Sequence, residues 1–471
     1  MPPWPLHPTL AALLPSLQLI NDCWHLLEDP SGTSRKAHYL PRGEREPESA
    51  YRRRLEAALP SGFFRDALRT FAGMLAASHW RELPASLQAV ISDVDGRGTD
   101  LGVFLEHADL LVLRDGAALV AVLPPAHLWP SEGDRLQALR RGDRLSLPRL
   151  ALIERRNVLN WILPAPQSLP KRVCIQLPNP KAQLSSLVDD ASPAGAAVYP
   201  WLLQQLMVDA DGMAIETTEL IADPQAANGW RRYRLDANQY RGISQLPLIW
   251  YASDGASFGE GDLPHLGLAH QYLNHFRCQS DYQELLYRTA LPVGVRTGMV
   301  GPLGSGTAGE PVVLGPNTVI DLPEGASFQF VEIQARSLAE HRAWLESLDQ
   351  GMRRDALIPA AAQGAPRTAT EISLAASQAY ALLQSQAIQK ASMFSSLLVH
   401  WCAITGEAVP AGGGSAGGTA ALDVNISPLA PVPKPQPTVA EMLQLHERGI
   451  VSEQALRQWL GDLSGVNPAL G

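Results

Sequence analysis

The sequence predicts an α+β protein, and three features carry that prediction. Apolar residues recur at helical spacing over the first part of the 471-residue chain. Between about residues 115 and 255 the period changes, and short β-branched or aromatic runs alternate with Pro, Gly, Asn and Asp. After about residue 260 long helical patterns return, interrupted by one small strand-and-turn piece.

Taken in order, Leu17, Ile20, Trp24 and Leu27 open the helical part. Ser49 to Leu59, with the basic cluster Arg52, Arg53 and Arg54, and Phe63 to Ser78 continue it. Asp100 to Arg114 places Leu101, Phe104, Leu105, Ala108 and Leu111 on one face. Strands are expected at 119–123, 149–153, 172–177, 203–208, 231–235 and 246–251. Asp262 to Ala290 reads as a long helix with Asp262 at its N-cap and Pro264 in its first turn. The turn-rich piece Leu291 to Ile333 follows. Ser337 and Glu340 then open a helix with capping-box spacing, and it ends in Met352-Arg353-Arg354. A loop from Ala356 to Arg367 leads to a second capping box, Thr368 with Glu371. The helix it opens runs to about Ile404 and carries one formal charge between Ile372 and Ile404, Lys390. Ala411 to Thr419 is Gly-rich and Pro428 to Pro437 is Pro-rich, so both read as linkers. Thr438 to Leu463 reads as a helical hairpin.

Hydrophobic residues make up 46% and charged residues 18% of the chain, enough to bury a sizeable core. The net charge of -9 argues against a tight grip on nucleic-acid phosphates, which calls for a basic surface. The apolar N-terminus has no Lys or Arg before Arg35, so no secretory signal is indicated. The apolar runs are far shorter than the roughly twenty residues of a spanning helix. Cys23, Cys174, Cys278 and Cys402 are scattered, which fits reduced thiols in a cytoplasmic setting.

Several stretches resemble chemical motifs and fail on spacing. Asp93 to Asp100 looks like a calcium loop, but position 5 is Arg97 and position 12 is Phe104, and neither supplies a ligand oxygen. The bland alternative is a tight Gly turn whose Asp100 caps the next helix. Gly304 to Gly309 matches GxGxxG, yet a strand-like Glu310 to Leu314 follows where a dinucleotide site needs a helix. His265 and His270 are five apart, about 140° round a helix, and do not form a ligand pair. The eleven tryptophans stand singly, as core or subunit-interface packing would place them. No catalytic residue, metal site or cofactor is therefore assigned. Arg353, Arg354 and Arg367 flank the neutral loop, and the first two also suit a helix C-terminus.

The ordered set of local sequences resembles the portal (head–tail connector) proteins of tailed double-stranded DNA phages. It comprises Tyr39 to Arg42, Tyr51 to Leu55, Asp93 to Thr99, Asn157 to Trp161, Leu246 to Tyr251, Leu263 to Tyr282, and Thr368 to Glu371 with its helix. The resemblance covers about residues 15 to 405. It implies a portal fold of wing, stem, clip and crown: wing 1–260, stem helices 261–290 and 335–355, clip 291–334, tunnel loop 356–368, and a long tunnel or crown helix 369–405. A flexible linker 406–437 and a crown hairpin 438–471 would complete it. It further implies a non-enzymatic ring, usually of twelve subunits, at one capsid vertex, made in the host cytoplasm and carried in the virion. The implied partners are the major capsid protein, a head–tail adaptor, the packaging terminase and the double-stranded DNA passing through, with no membrane. Gln363, Arg367, Arg353 and Arg354 would face DNA, and Gly301, Gly304, Gly306 and Glu310 would lie in the docking clip.

One argument from the residues runs parallel to this. A channel that passes DNA both ways cannot hold its phosphates with many cations, because each contact adds to the grip. The charge-poor loop and the helix after it fit such a channel. The competing readings are another head–tail adaptor or capsid-associated protein, a soluble scaffold, and a metal-dependent nucleic-acid enzyme using the loop at Asp93.

Overall fold

The computed structural model describes residues 4–28, 35–125, 129–165, 168–185, 198–226, 229–290, 293–297, 327–331, 337–356, 369–410, 422–424 and 426. All lie in the compact unit Met1–Ile426. The chain is mixed helix and sheet, with the change of period near residue 115 seen in space. Six helices surround one short strand before it: α1 (Pro8–His25), α2 (Arg35–Tyr39), α3 (Glu48–Ala57), α4 (Phe63–Leu75), β1 (Ser78–Trp80), α5 (Ala85–Gln88) and α6 (Leu101–Asp115). Then come β2 (Ala117–Leu123), α7 (Glu132–Arg140), β3 (Arg149–Glu154), β4 (Val158–Ile162), β5 (Arg172–Pro178), α8 (Pro180–Ser185), β6 (Trp201–Asp209), β7 (Gly212–Ala222), β8 (Trp230–Tyr240) and β9 (Leu248–Ala252). The last part holds α9 (Leu266–Ala290), β10 (Val293–Thr297), β11 (Ser327–Val331), α10 (Ser337–Asp355), α11 (Ala369–Thr405) and β12 (Leu422–Val424).

Two antiparallel sheets share the middle section, ordered β3-β2-β9 and β4-β5-β6-β7-β8. β2 is a continuous apolar run because both its faces are covered. Ala118, Val120 and Val122 pack with Phe104 and Leu105 of α6 and Phe394 and Leu397 of α11. Leu119 and Ala121 point the other way, into a core with Leu10 and Leu17 of α1 and Val173, Leu206 and Ile215 of the five-stranded sheet. The period of two thus sorts one strand's side chains into two cores. A third core joins α1, α4 and α9 through Ile20, Phe64, Leu68, Tyr272 and Phe276.

The turn from α6 into β2 fixes the start of α9. Gly116 sits at φ 77°, and a Cβ there would fall 1.9 Å from the Asp262 carbonyl oxygen. The Arg155 guanidinium donates to the carbonyls of Asp115 at 3.2 Å and Gly261 at 2.9 Å. α9 begins at Leu266, later than the Asp262 cap expected from the sequence. Asp262 is instead tied into the preceding loop, its N–H donating to Asp254 Oδ2 at 2.9 Å.

α10 runs antiparallel to α9: Gln271 near the start of α9 donates to Asp355 at the end of α10 at 2.6 Å. β10 and β11 pair antiparallel between these helices in sequence, from Val293↔Val331 to Thr297↔Ser327. No described helix is long and apolar enough to cross a membrane. The expected N-terminal capping residue Thr368 and the C-terminal hairpin lie outside the described residues. Within the expected linker 406–437, by contrast, Leu422–Val424 form β12, paired antiparallel with β1 from Ser78↔Val424 to Trp80↔Leu422.

Candidate functional site

The loop at Asp93 is a self-satisfied turn. Asp93 Oδ1 accepts the Gly98 N–H at 2.7 Å, and Asp95 Oδ1 accepts the Arg97 N–H at 2.8 Å. The Thr99 hydroxyl donates to Asp95 Oδ2 at 2.8 Å, and these bonds hold the Asp95 carboxyl below its ordinary range against the opposing effect of burial. Gly96 and Gly98 supply positive φ, and Asp100 caps α6 by accepting the Gly102 N–H at 2.8 Å. The carboxylates are spent on backbone donors. Among the described residues no group of three or more His, Cys, Asp or Glu could hold a metal. His265 is buried with its Nδ1 2.8 Å from the Leu113 carbonyl.

Arg353 and Arg354 close the last turn of α10, where cations offset the helix dipole. Arg353 Nε donates to Asp349 at 2.8 Å, and its guanidinium lies over the Phe63 ring. Arg354 pairs with Asp355 at 3.5 Å and is otherwise exposed. Gln363 and Arg367 lie outside the described residues, as do Gly301, Gly304, Gly306 and Glu310. The two described arginines are chain neighbours with different partners, and the other six positions are not among those described.

The charge poverty of α11 extends over both its inner and its outer face. Over residues 383–404 its inner face is core: Leu383, Ala387, Phe394, Leu397, Trp401 and Ile404 are buried. On that face the helix lacks charge because it seals the sheet β3-β2-β9. Its outer face, with Leu382, Ile388 and Val399 exposed, is uncharged as well, and burial does not account for that. Its single charge, Lys390, is 0% exposed. The ammonium forms an ion pair with Asp109 Oδ2 of α6 at 2.7 Å and donates to the Leu75 carbonyl of α4 at 2.8 Å. Tyr251 of β9 donates to Asp109 Oδ1 at 2.7 Å, and Gln386 of α11 donates to the Tyr251 hydroxyl at 2.9 Å. Burial raises the Asp109 carboxyl to about 6, with Lys390 pulling it down. Sequence reading singled out Lys390 as solitary but missed Asp109. The available signal was an Asp directly after Ala108, on the apolar face of the 101–115 helix.

Three stretches that carry the portal resemblance meet beside α9. Arg54 donates twice to Glu46 at 2.9 Å and to the Pro41 carbonyl at 2.9 Å. Arg277 donates to the Tyr39 carbonyl at 2.8 Å, and Tyr51 to the Leu40 carbonyl at 3.0 Å. They border an open cavity of about 850 Å³ that Asp281 and Glu284 also line. Arg53 pairs with Glu284 at 3.2 Å and Arg54 with Asp281 at 3.8 Å, which fastens the segment 39–54 to the helix.

A family model described as a domain of unknown function (DUF4055) matches residues 264–403. No curated protein matches the chain. Among solved structures, the chain is similar to one described as the virion of a native gene transfer agent (GTA) particle. That match has 14% identity over 92% of this chain and 98% of that one, with a TM-score of 0.38. The neck of an empty GTA particle computed with C6 symmetry matches at 12% identity, over 91% and 97% of the two chains, with a TM-score of 0.41. The neck of a native GTA particle computed with C12 symmetry matches at 14% identity over 91% and 96%, with a TM-score of 0.39.

Proposed function

We propose that the chain is a portal subunit: one member of a closed ring through which double-stranded DNA enters and leaves a phage head. The observation that carries this reading is the order of elements α9, β10–β11, α10, α11, set in the ordered series of portal-like local sequences. In this reading α9 and α10 form the stem, β10 and β11 the root of the clip, and residues 1–260 the wing against capsid protein. A ring of this kind is a head-to-tail assembly that closes by rotation, so each subunit buries two different faces. Trp344 of α10 and Leu286 and Tyr287 of α9 are large apolar side chains exposed on the single chain, which suits burial against a neighbour. The protein is structural, with DNA as cargo.

Negative-stain microscopy of the purified full chain tests the reading. Rings with a central hole are expected, with twelve-fold rotational averages. A monomer, or particles with no channel, would leave the adaptor or scaffold readings in its place. Within the ring reading, Arg367→Ala is expected to assemble normally and to alter DNA packaging or retention in a plaque and genome-content assay. Unchanged packaging and retention removes that residue from the channel.

A further inference from the structure

We propose that the Asp109–Lys390 ion pair is a register pin: it fixes where α11 sits along its own axis against α6 and β9, and it serves conformational uniqueness more than stability. The inference does not depend on the portal reading.

The inner face of α11 repeats. Leu383, Ala387, Lys390, Phe394, Leu397, Trp401 and Ile404 are all buried and are spaced alternately four and three residues apart. That is a heptad row. Displaced by one turn, most apolar side chains of the row are replaced by another apolar one, so apolar burial selects only by size. The polar contacts, Lys390 with its partners and Trp401 Nε1 on the Ser86 hydroxyl, mark the register. A single polar residue in such a row is the device that specifies register in coiled coils, at a cost in stability. Lys390 is that residue here.

Its partners come from two separate elements, α6 and α4, and Tyr251 of β9 holds the first of them. Asp109 of α6 is 0% exposed and receives both the ammonium and the Tyr251 hydroxyl. The Leu75 carbonyl at the end of α4 receives an ammonium proton. Gln386, one turn before Lys390, reaches the Tyr251 oxygen. A one-turn slip carries the ammonium about 5.4 Å from Asp109, leaving the ammonium buried without its counter-ion and Asp109 with only the Tyr251 hydroxyl. A slip of α11 breaks the ion pair, the ammonium's bond to the Leu75 carbonyl and the Gln386–Tyr251 bond, while the Tyr251 hydroxyl stays on Asp109.

Buried ion pairs replaced whole by apolar groups are commonly neutral or stabilising, whereas removal of one partner alone is costly. The test uses that asymmetry. The fourfold variant D109L/Y251F/Q386L/K390M removes the whole network, and the Leu75 carbonyl keeps the Ser78 hydroxyl as a donor. Orthogonal spin labels go on the exposed positions Val103 of α6 and Ile388 of α11, with labelled chains diluted among unlabelled ones so that only distances within one chain are read. The wild type is expected to give one narrow distance. The fourfold variant is expected to melt at or above the wild-type temperature and to show a second distance displaced by about one helical turn. K390M alone is expected to melt well below both. A single wild-type distance in the fourfold variant overturns the proposal. So does a fourfold variant that fails to fold or melts no higher than K390M, because the pair would then be a source of stability.

Discussion

The two sheets of the middle section are built from the same pairing and end in opposite environments. β2 in the three-stranded sheet is buried along almost its whole length, closed on one face by α6 and α11 and on the other by the five-stranded sheet and α1. β8, at the edge of the five-stranded sheet, is exposed along most of its length on both faces. β2 accordingly has no charged residue, while β8 carries Arg231, Arg232, Arg234 and Asp236. The lesson extends to one face of α11: its inner face is uncharged because the chain's own core encloses it, whereas its outer face is exposed and equally free of charge.

The largest effects are therefore expected where α11 closes the sheet. Phe394 is fully buried between α6 and β2, and Phe394→Ala removes a ring whose space the surrounding strands cannot refill. A loss of about 3–5 kcal/mol is expected by chemical denaturation. A loss near zero would mean that α11 does not close this sheet in solution, and the contrast between the sheets would fall with it.

Acid acts on the same enclosure through Asp109. Burial dominates and brings its carboxyl to about 6; Lys390 of α11 and Tyr251 of β9 lower its pKa and Glu106 of its own helix raises it. That value lies above the unfolded value of about 3.9. The native state thus binds the extra proton between about pH 4 and pH 6, and this group's contribution to stability decreases as pH rises through that window. Above it the contribution is flat. Urea midpoints of the wild type minus those of Asp109→Asn are expected to fall between pH 4 and 6. A difference that rises instead would show that Lys390 outweighs burial.

Much of this organisation was legible in the residues. The helices over 101–114 and 337–354 and the strands at 119–123 and 172–177 lie within a few residues of their expected positions, because local period and caps fix them. β7 escaped notice, since Glu216-Thr217-Thr218-Glu219 interrupts its apolar alternation and a bulge opposite Thr217 and Thr218 shifts the register. The start of α9 was misplaced because Asp262 is held by a loop contact from Asp254, a non-local bond with no signature beside it. The acidic turn at Asp93 was readable in full, being built from its own backbone. The Asp109–Lys390 pair joins residues 281 positions apart, and only the fold brings them together.

At the open edge, the smallest effects are expected. Tyr233 and Leu235 of β8 are 42% and 45% exposed. Thr217 pairs with Asp236 and Thr218 with Arg234, so Leu235 is the extra residue of the bulge. Arg231 and Arg234 are held by Asp223 at 2.7 Å and Glu216 at 3.0 Å. A bulge and a row of charges are the means by which an edge strand is kept from pairing with another chain. Tyr233→Thr and Leu235→Thr, both replacements that favour extended backbone, are each expected to change stability by no more than about 0.5 kcal/mol. Measurement should compare the dilute chain with the assembled one. If either substitution costs about 2 kcal/mol or more only in the assembly, a neighbouring surface covers β8 there, since that is the scale of burying such a side chain. The contrast would then belong to the isolated subunit, with both sheets enclosed once the subunits meet.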